Sequence, residues 1–447
     1  MNKNIAKYLV YYPIQFLRKQ KVWKYLSVVN DSEKRNLHQI LNERNKKLSA
    51  IVHYAYNNIR YYKELFDENK IMLSEEITEN EFRKIPILTK HKIIKNEQSL
   101  TDQKYKGKIF HRKTGGSTGL TLHFSKEPEV LALNDAIMFR CYNWFGIEIG
   151  DKQARFWGVP VTKELRKQEN RKDLILNRIR ISAFDISEEA TIKQYNRIKK
   201  FKPAYFYGYT TAIYGFCLNV QKLGLDLDEL NLKAVICTAE KMYPHHRKLF
   251  NEVFKCPVVD EYGSTENGII SFQCKEGNLH MMADHMYIEF LDDNDQPVKP
   301  GESGRIVITD LYSKVMPFIR YDIGDKGSFS NEKCHCGNEL PLMNIMEGRT
   351  EDFIKTKQGK MVHAAYLCYT LKDDTVQEFK MYQKSMDDYT IQLVKSPAFK
   401  ENSEEALKAK VEYELGKDIN IKFEYLDKIP REKSGKLRYF VSELKKQ

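Results

Sequence analysis

Five short stretches of this chain hold residue types suited to phosphate chemistry. The first is "KTGGSTGLTLHF", Lys113–Phe124, which packs Thr114, Gly115, Gly116, Ser117, Thr118, Gly119 and Thr121 into eight residues. Glycine lets the backbone approach a phosphate closely, and exposed N–H and hydroxyl groups supply donors. No Lys-Ser/Thr pair follows the last glycine, which excludes the Walker A arrangement; the plain alternative is a flexible turn. The second is "VVDEYGSTENG", Val258–Gly268. Its strand-like start ends in Asp260 and Glu261, and Tyr262, Gly263, Ser264, Thr265 and Glu266 follow. At the carboxyl end of a strand an aromatic can cover a base and a carboxylate can hold a metal. The competing reading is a strand-to-helix turn with Ser264 or Thr265 as N-cap.

The third stretch, "PFIRYDIGDKG" (Pro317–Gly327), offers Asp325 to a ribose. The fourth is "EGRTEDFI", Glu347–Ile354, and the fifth "KIPREKSGKLRYF", Lys428–Phe440. A Ser-Gly-Lys turn presents Lys436 on a tight loop, where an ammonium can neutralise charge developing at a phosphoryl or carboxylate group. Against this stands a solvated charge run near a terminus.

Soft metal ligands form a separate group. Cys334 and Cys336 flank His335 beside Gly337, and Cys274 and His280 lie upstream in "CKEGNLH". Two such pairs complete a tetrahedral structural zinc site with Cys274, His280, Cys334 and Cys336 as ligands, His335 being the other candidate for the fourth position. Reduced surface thiols are the alternative.

These residues need elements to position them. Short apolar runs rich in β-branched and aromatic residues begin near residue 110: "ARFWGVPV", "AYFYGY", "LKAVICTAE" and "PVVDEYG", each bounded by Gly or Pro and each followed by a helix-like segment. The alternation predicts an α/β domain with a largely buried sheet. Residues 285–330 read as β-rich. Residues 33–70 read as amphipathic helix, and Phe82–Asn96 as a connector followed by a short helix. After "GRTED" a small α+β unit is expected, with strands in "TVQEFKMYQK" and "YTIQLVK", a charged helix over 402–416, and a strand in "NIKFEYL". The expected division is therefore a leader over 1–30, a large domain over 31–348 and a small mobile domain over 349–447.

Taken in order, the Gly/Ser/Thr loop, "TAE" (Thr238–Glu240), "YGSTE", "RYDIGD", "GRTED" and "PREKSGK" resemble the adenylate-forming (ANL) superfamily of acyl-CoA synthetases and peptide-synthetase adenylation domains, over roughly residues 80–440. The stretch "IPILTK" (Ile85–Lys90) and the brief C-terminal unit are similar to the phenylacetate–CoA ligase and CapK-like branch. The resemblance implies an α/β, multidomain fold, with a large N-terminal domain of mixed sheets and helices and a small α+β C-terminal domain. It implies ATP and Mg²⁺ as cofactors and a small carboxylic acid as substrate. The acid would be activated as an acyl-AMP and passed to CoA, or to an amine or hydroxyl on a sugar or carrier. By position, Ser117, Thr118 and Gly119 would hold the β- and γ-phosphates, with Thr114 beside them. Thr238, Ala239 and Glu240 would help build the adenine pocket, with Tyr262 against the base and Glu261, Gly263 and Ser264 around it. Glu266 would hold Mg²⁺, Thr265 a phosphate, Asp325 the ribose, and Arg349 would act beside it. Lys436 would drive adenylation, and a hinge near Thr350 and Glu351 would move it. Two departures matter. "TGGSTG" replaces the usual Ser/Thr-Ser/Gly-Gly-Thr-Thr-Gly, and "RYDIGD" replaces a more basic stretch usual in the phenylacetate enzymes. The resemblance thus carries ATP use, not a phenylacetyl substrate. Two other functions stand beside it: an adenylyltransferase that leaves AMP on its substrate, and a non-catalytic nucleotide-binding protein of surface-polysaccharide assembly.

Composition limits the rest. The 447 residues are 42% hydrophobic and 30% charged, which suits a soluble chain of more than one domain. No apolar run of membrane-spanning length and no secretion signal is present, so a cytoplasmic location is expected. The net charge is +12, but no basic stripe or motif points to nucleic acid. Part of the excess is local. Lys3, Lys7, Arg18, Lys19, Lys21 and Lys24 share residues 1–30 with no acidic residue and with several aromatics. Ile5, Leu9, Tyr12 and Phe16 recur at helical spacing there, with a restart expected at Pro13. Such a leader fits peripheral contact with an anionic membrane, or a helix packed on the large domain with a cationic outer face.

Overall fold

Alternation of apolar and polar side chains makes strands wherever one face can be buried. The computed structural model describes residues 1–114, 122–158, 163–183, 187–347, 353–357, 361–363, 367, 371, 375–429 and 440–444. Phe110–Lys113 (β1) and His123–Lys126 (β2) form an antiparallel hairpin. Eleven strands then build one sheet: Gln153–Trp157 (β3), Arg178–Ser182 (β4), Tyr205–Tyr209 (β5), Ala234–Thr238 (β6), Val258–Ser264 (β7), Gly268–Gln273 (β8), Leu279–Met281 (β9), Met286–Leu291 (β10), Gly304–Asp310 (β11), Tyr321–Ser330 (β12) and Leu342–Glu347 (β13). Their spatial order is β10-β11-β12-β13-β9-β8-β7-β6-β5-β3-β4. Strands β4, β3, β5, β6 and β7 run parallel, and every pairing from β7 through β8 to β10 is antiparallel.

The parallel half is a series of crossovers. Helices over Lys163–Ile175, Glu188–Phe201, Thr210–Lys222 and Pro244–Phe254 join β3 to β4, β4 to β5, β5 to β6 and β6 to β7. Three of the four runs expected to precede a helix do so. The fourth, β7, does not: the chain turns back over Thr265–Asn267 into β8. The Ser264 hydroxyl accepts hydrogen bonds from the Asn267 backbone N–H (3.1 Å) and amide Nδ2 (3.2 Å), which closes a hairpin instead of capping a helix. Gly263 is required there, since a Cβ would stand 2.4 Å from the Gly268 carbonyl oxygen.

One sheet face is covered by the helix Pro128–Asn143, through Ala132, Ala136, Ile137 and Tyr142 against Tyr205, Ile236 and Val259. The other face packs Phe156, Phe206, Val235 and Cys237 against Phe216, Leu249 and Phe250 of the crossover helices. The expected helix over 33–70 forms as two, Leu37–Asn58 and Arg60–Glu68, broken at the extended residue Ile59. "IPILTK" runs beside β12: Leu88 donates to the Arg320 carbonyl, and its own carbonyl accepts from Asp322. Arg320 itself is buried, paired with Glu289 at 2.9 Å and donating to the carbonyls of Arg83 and Ile85.

The leader starts as a π-helical turn over Ile5–Tyr11, and an α-helix restarts at Tyr12–Leu17 with Pro13 in its first turn. A further helix, Val22–Ser32, buries Val22 and Val29 against the Pro128–Asn143 helix. The last described part is a separate unit. Val376–Gln383 (β16), Asp388–Lys395 (β17), Asn420–Tyr425 (β18) and Phe440–Ser442 (β19) form a sheet in the order β18-β17-β16-β19. It is preceded by the small pair Phe353–Lys355 (β14) and Met361–His363 (β15), and Leu407, Val411 and Leu415 of the helix Ser403–Leu415 pack on it. The junction expected near residue 349 lies outside the described residues.

A buried charge network ties the leader down. Arg140 pairs with Asp284 at 2.5 Å, and the Ser32 hydroxyl donates to the same carboxylate at 2.5 Å. Burial opposes charge on Asp284, yet Arg140 holds its carboxyl well below the usual range. Its contribution to stability is therefore complete above the unfolded-state pKa of about 4 and is lost as pH falls through the lower folded-state value. Asp284→Asn leaves buried Arg140 with only the more distant Glu33, at 3.7 Å, as counter-charge. Urea denaturation at pH 7 should show a loss of about 3–5 kcal/mol and a flatter acid limb than wild type.

Candidate active site

The carboxyl ends of β3, β5, β6 and β7 lie side by side, with Tyr209, Thr238 and Glu261 in register. Ligands in open α/β sheets bind beyond this edge. Just past β6, Ala239 adopts a left-handed backbone (φ +67). The turn swings Glu240 toward the start of the Thr210–Lys222 helix. Its carboxylate accepts from the Thr211 backbone N–H at 2.9 Å and the Thr211 hydroxyl at 2.7 Å, and its carbonyl accepts from the Thr210 hydroxyl. Glu240 thus caps a helix N-terminus with its side chain, while its backbone stays at the sheet edge.

Glu261 is turned into the sheet face below. It is buried, and its two oxygens accept from the hydroxyls of Tyr142 and Tyr207, each at 3.1 Å. Burial raises its carboxyl above the usual range, and hydrogen bonds from Thr238, Tyr207 and Tyr142 oppose this. The next residue points the other way along the pleat. Tyr262 donates to Asp325 at 2.9 Å. Glu266, folded back after the turn, is buried and accepts from Tyr321 at 3.2 Å. Two tyrosine–carboxylate bonds thus join the β7–β8 hairpin to β12, and "YGSTE" and "RYDIGD" become one site. The sequence singled out Asp325 but not Tyr321, whose role needs the pairing of distant strands to be seen. Gly263 and Ser264 end β7, and Thr265 is exposed in the turn that follows.

Thr114 stands at the base of the Gly/Ser/Thr loop. Its N–H donates to the Leu122 carbonyl at 2.9 Å and its hydroxyl accepts from the Leu122 N–H at 3.0 Å. The hairpin carrying this loop is fastened to the large sheet. Buried Lys126 pairs with Asp310, and Glu127 accepts from the backbone N–H of Val315 at 2.7 Å. Ser117, Thr118, Gly119, Arg349 and Lys436 lie outside the described residues.

Cys274, His280, Cys334 and Cys336 come together, their ligand atoms all within 4.8 Å of one another. Cys274 Sγ is 3.6 Å from Cys334 Sγ, and Cys336 Sγ is 3.3 Å from His280 Nε2. A tetrahedral ion with bonds of about 2.3 Å to sulfur and 2.0 Å to nitrogen requires similar ligand separations. His280 Nδ1 lies 2.8 Å from the Leu340 carbonyl, which fixes the ring with Nε2 toward the thiols. Burial lowers the His280 pKa, favouring the neutral form that a ligand needs. The donor set fits zinc.

A family model described as "AMP-binding enzyme" matches residues 179–313, and one described as "CapK C-terminal domain" matches residues 354–443. The chain is 26% identical to Protein CapK of Staphylococcus aureus, over 92% of this chain and 91% of that one. The chain is thus similar to AMP-binding enzymes over its middle third and to CapK over most of its length. It is 25% identical to a phenylacetate-coenzyme A ligase of Pseudomonas putida, over only 40% of this chain and 41% of that one. Among solved structures it resembles 2-hydroxyisobutyryl-CoA ligase with 2-HIB-AMP and CoA in the thioesterification state, at a TM-score of 0.60 and 18% identity, over 92% of this chain and 90% of the other. The post-adenylation state of the same ligase matches at 0.58. This second likeness is one of fold.

Proposed function

We propose that this adenylate-forming enzyme uses ATP to activate a carboxylic acid and then passes the acyl group to an acceptor. A carboxylate oxygen of the acid attacks the α-phosphorus, the bond to the β-phosphate oxygen breaks, and pyrophosphate leaves. The acceptor then attacks the acyl carbon and AMP departs. The observation that carries this reading is the joining of the β7–β8 hairpin to β12 through Tyr262–Asp325 and Glu266–Tyr321, at the carboxyl edge beside Ala239. Tyr262 would lie against the base and Asp325 would receive the ribose. Glu266, oriented by the Tyr321 hydroxyl, suits Mg²⁺ and would act with Thr265 near the phosphates. When bound, the metal would supply charge neutralisation on the triphosphate. Lys436 would neutralise the charge developing at the α-phosphate. The unit over 349–447 would turn at a hinge near Thr350 and Glu351 between half-reactions.

CoA is the first-choice acceptor, because the phenylacetate and 2-hydroxyisobutyrate relatives carry it in their names. An amine or hydroxyl of a polysaccharide pathway is the other, suggested by the CapK relative. Transfer of AMP to the final product would make the chain an adenylyltransferase instead. Zinc held by Cys274, His280, Cys334 and Cys336 would be structural, because four protein ligands leave no open position. It would tie the β8–β9 turn to the loop before β13.

The leader extends the same reading to a membrane surface. Leu9 and Leu17 are 70% and 76% exposed, and Tyr8 and Phe16 are exposed beside them. Tyr8 meets Tyr12, Tyr12 meets Trp23, and Trp23 stacks with Phe16, so the patch is continuous. Lys19, Lys21 and Lys24, in the same stretch of chain, are exposed. The Lys163–Ile175 helix, with exposed Arg166, Lys167 and Arg171, lies against the leader's first turn. Apolar and aromatic groups accompanied by cationic ones fit an anionic bilayer. No helix among the described residues is long and apolar enough to cross one.

Four measurements test these points. ATP–pyrophosphate exchange over a panel of aromatic, amino and sugar-derived acids should detect activation, and Lys436→Ala should lower it by at least about 100-fold (~2.7 kcal/mol); full exchange in that variant refutes the mechanism. CoA should raise AMP release in the presence of the same acid, whereas an adenylyltransferase would not respond. Metal analysis of purified protein should return one zinc per chain, with the thermal midpoint falling on chelation or in Cys336→Ser. The full chain should co-sediment with vesicles containing phosphatidylserine and not with pure phosphatidylcholine. The triple variant Leu9→Ser, Phe16→Ser, Leu17→Ser should lose this binding while keeping its circular dichroism.

A further inference from the structure

Three arginines stand together on one face of the parallel edge of the sheet. The register of β3 with β4 sets Arg155 opposite Arg180, with Arg178 two residues back on the same face. Two of the three are neutralised. Arg178 lies 2.6 Å from Asp173, and Arg180 pairs with Asp173 at 3.1 Å and Glu169 at 2.5 Å. Arg155 forms no salt bridge among the described residues. Its guanidinium lies over Trp157 and Tyr207, 4.4 and 5.2 Å from the ring centroids, and its Nε is buried with no hydrogen-bond acceptor. Glu261 is near enough to feel the Arg155 charge, but it gives both oxygens to Tyr142 and Tyr207.

Trp157 stacks on Tyr209 at 4.0 Å, and both are only partly buried, as is Arg155. Phe156 and Phe206, on the opposite face of the same strands, are completely buried. An aromatic, cation-bearing stretch of the carboxyl edge is therefore open, and it adjoins Thr238 and Ala239. Arg155 thus makes no ion pair of its own among the described residues, and the carboxylate nearest to it in charge, Glu261, is already engaged by two tyrosines. Ring contacts offset only part of the cost of burying its unpartnered Nε. The guanidinium is left able to take an anion from a ligand.

We infer that the acid activated by this protein carries a second anionic group, which Arg155 receives across the Trp157–Tyr209 stack. This rests on the acid-activation reading and names its substrate class. Strand β3 lies two strands from β6, roughly 10 Å at about 4.8 Å per strand. The Arg155 side chain reaches into that gap over Trp157, so the two charged ends of the acid lie closer together than that, and the atoms between them lie along the aromatic rings. A planar guanidinium suits a carboxylate or phosphate in two-point contact.

The test is pyrophosphate exchange with matched acids: adipate against hexanoate, and 4-carboxyphenylacetate against phenylacetate. The dianionic member of each pair should have a kcat/KM at least 10-fold higher. In Arg155→Met that ratio should fall at least 10-fold, and Arg155→Lys should restore part of it. Adipate should also change the fluorescence of the wild-type protein without ATP, and not that of Trp157→Phe. Equal rates within each pair, or a ratio that survives Arg155→Met, overturns the inference while leaving acid activation intact. No exchange with any acid of the wider panel overturns acid activation, and the inference with it.

Discussion

One reversal of the chain organises the site. From β4 to β7 each strand is reached by a helical crossover and runs parallel to its neighbours, so the carboxyl edge accumulates loops. At Ser264 the hydroxyl holds both nitrogens of Asn267, and the chain doubles back. From there the sheet is antiparallel, passes through β12 and ends on β10. The junction of the two halves brings Tyr262 to Asp325 and Glu266 to Tyr321, although 63 and 55 residues separate these partners. A helix after β7 would have continued the parallel series and left β12 without a route to the edge.

The carboxylates around this junction divide by surroundings. Glu261 and Glu240 satisfy hydroxyls and backbone N–H groups within the protein. Asp325 and Glu266 are held by one tyrosine each, on the side where the turn carrying Thr265 is exposed. Burial also raises the carboxyl of Asp260 to about 7, on the opposite face beside Arg247. The same short sequence, Asp260 to Glu266, therefore supplies both the internal braces of the edge and the groups proposed to meet a nucleotide. Pleating sorts them, since neighbours on a strand point to opposite faces.

Much of this was legible in the residues. The apolar runs that became β3, β5, β6 and β7, the restart at Pro13 and the order of the C-terminal strands follow from period and punctuation. The hairpin after Ser264 was not legible, because a Ser/Thr pair after a strand serves a helix cap and a tight turn equally well. Only the close approach of Gly263 to the Gly268 carbonyl separates them. The capping by Glu240 was hidden for a similar reason: its partners Thr210 and Thr211 sit on another crossover. Arg155 escaped notice because an arginine within an apolar run ordinarily finds a carboxylate, and its want of one appears only when Arg178 and Arg180 have taken theirs.

The Ser32–Asp284 bond has a consequence for synthesis. Its partners are 252 residues apart. At translation rates of about 5–20 residues per second, the segment bearing Asp284 leaves the ribosome roughly 13–50 s after the leader. For the first part of that interval Val22 and Val29 lack the Pro128–Asn143 helix, and Arg140, once made, has Glu33 at hand but still awaits Asp284. The first residues to emerge are thus among the last to be locked, and a nascent-chain binder that shields them would have its longest task at the very start of the polypeptide.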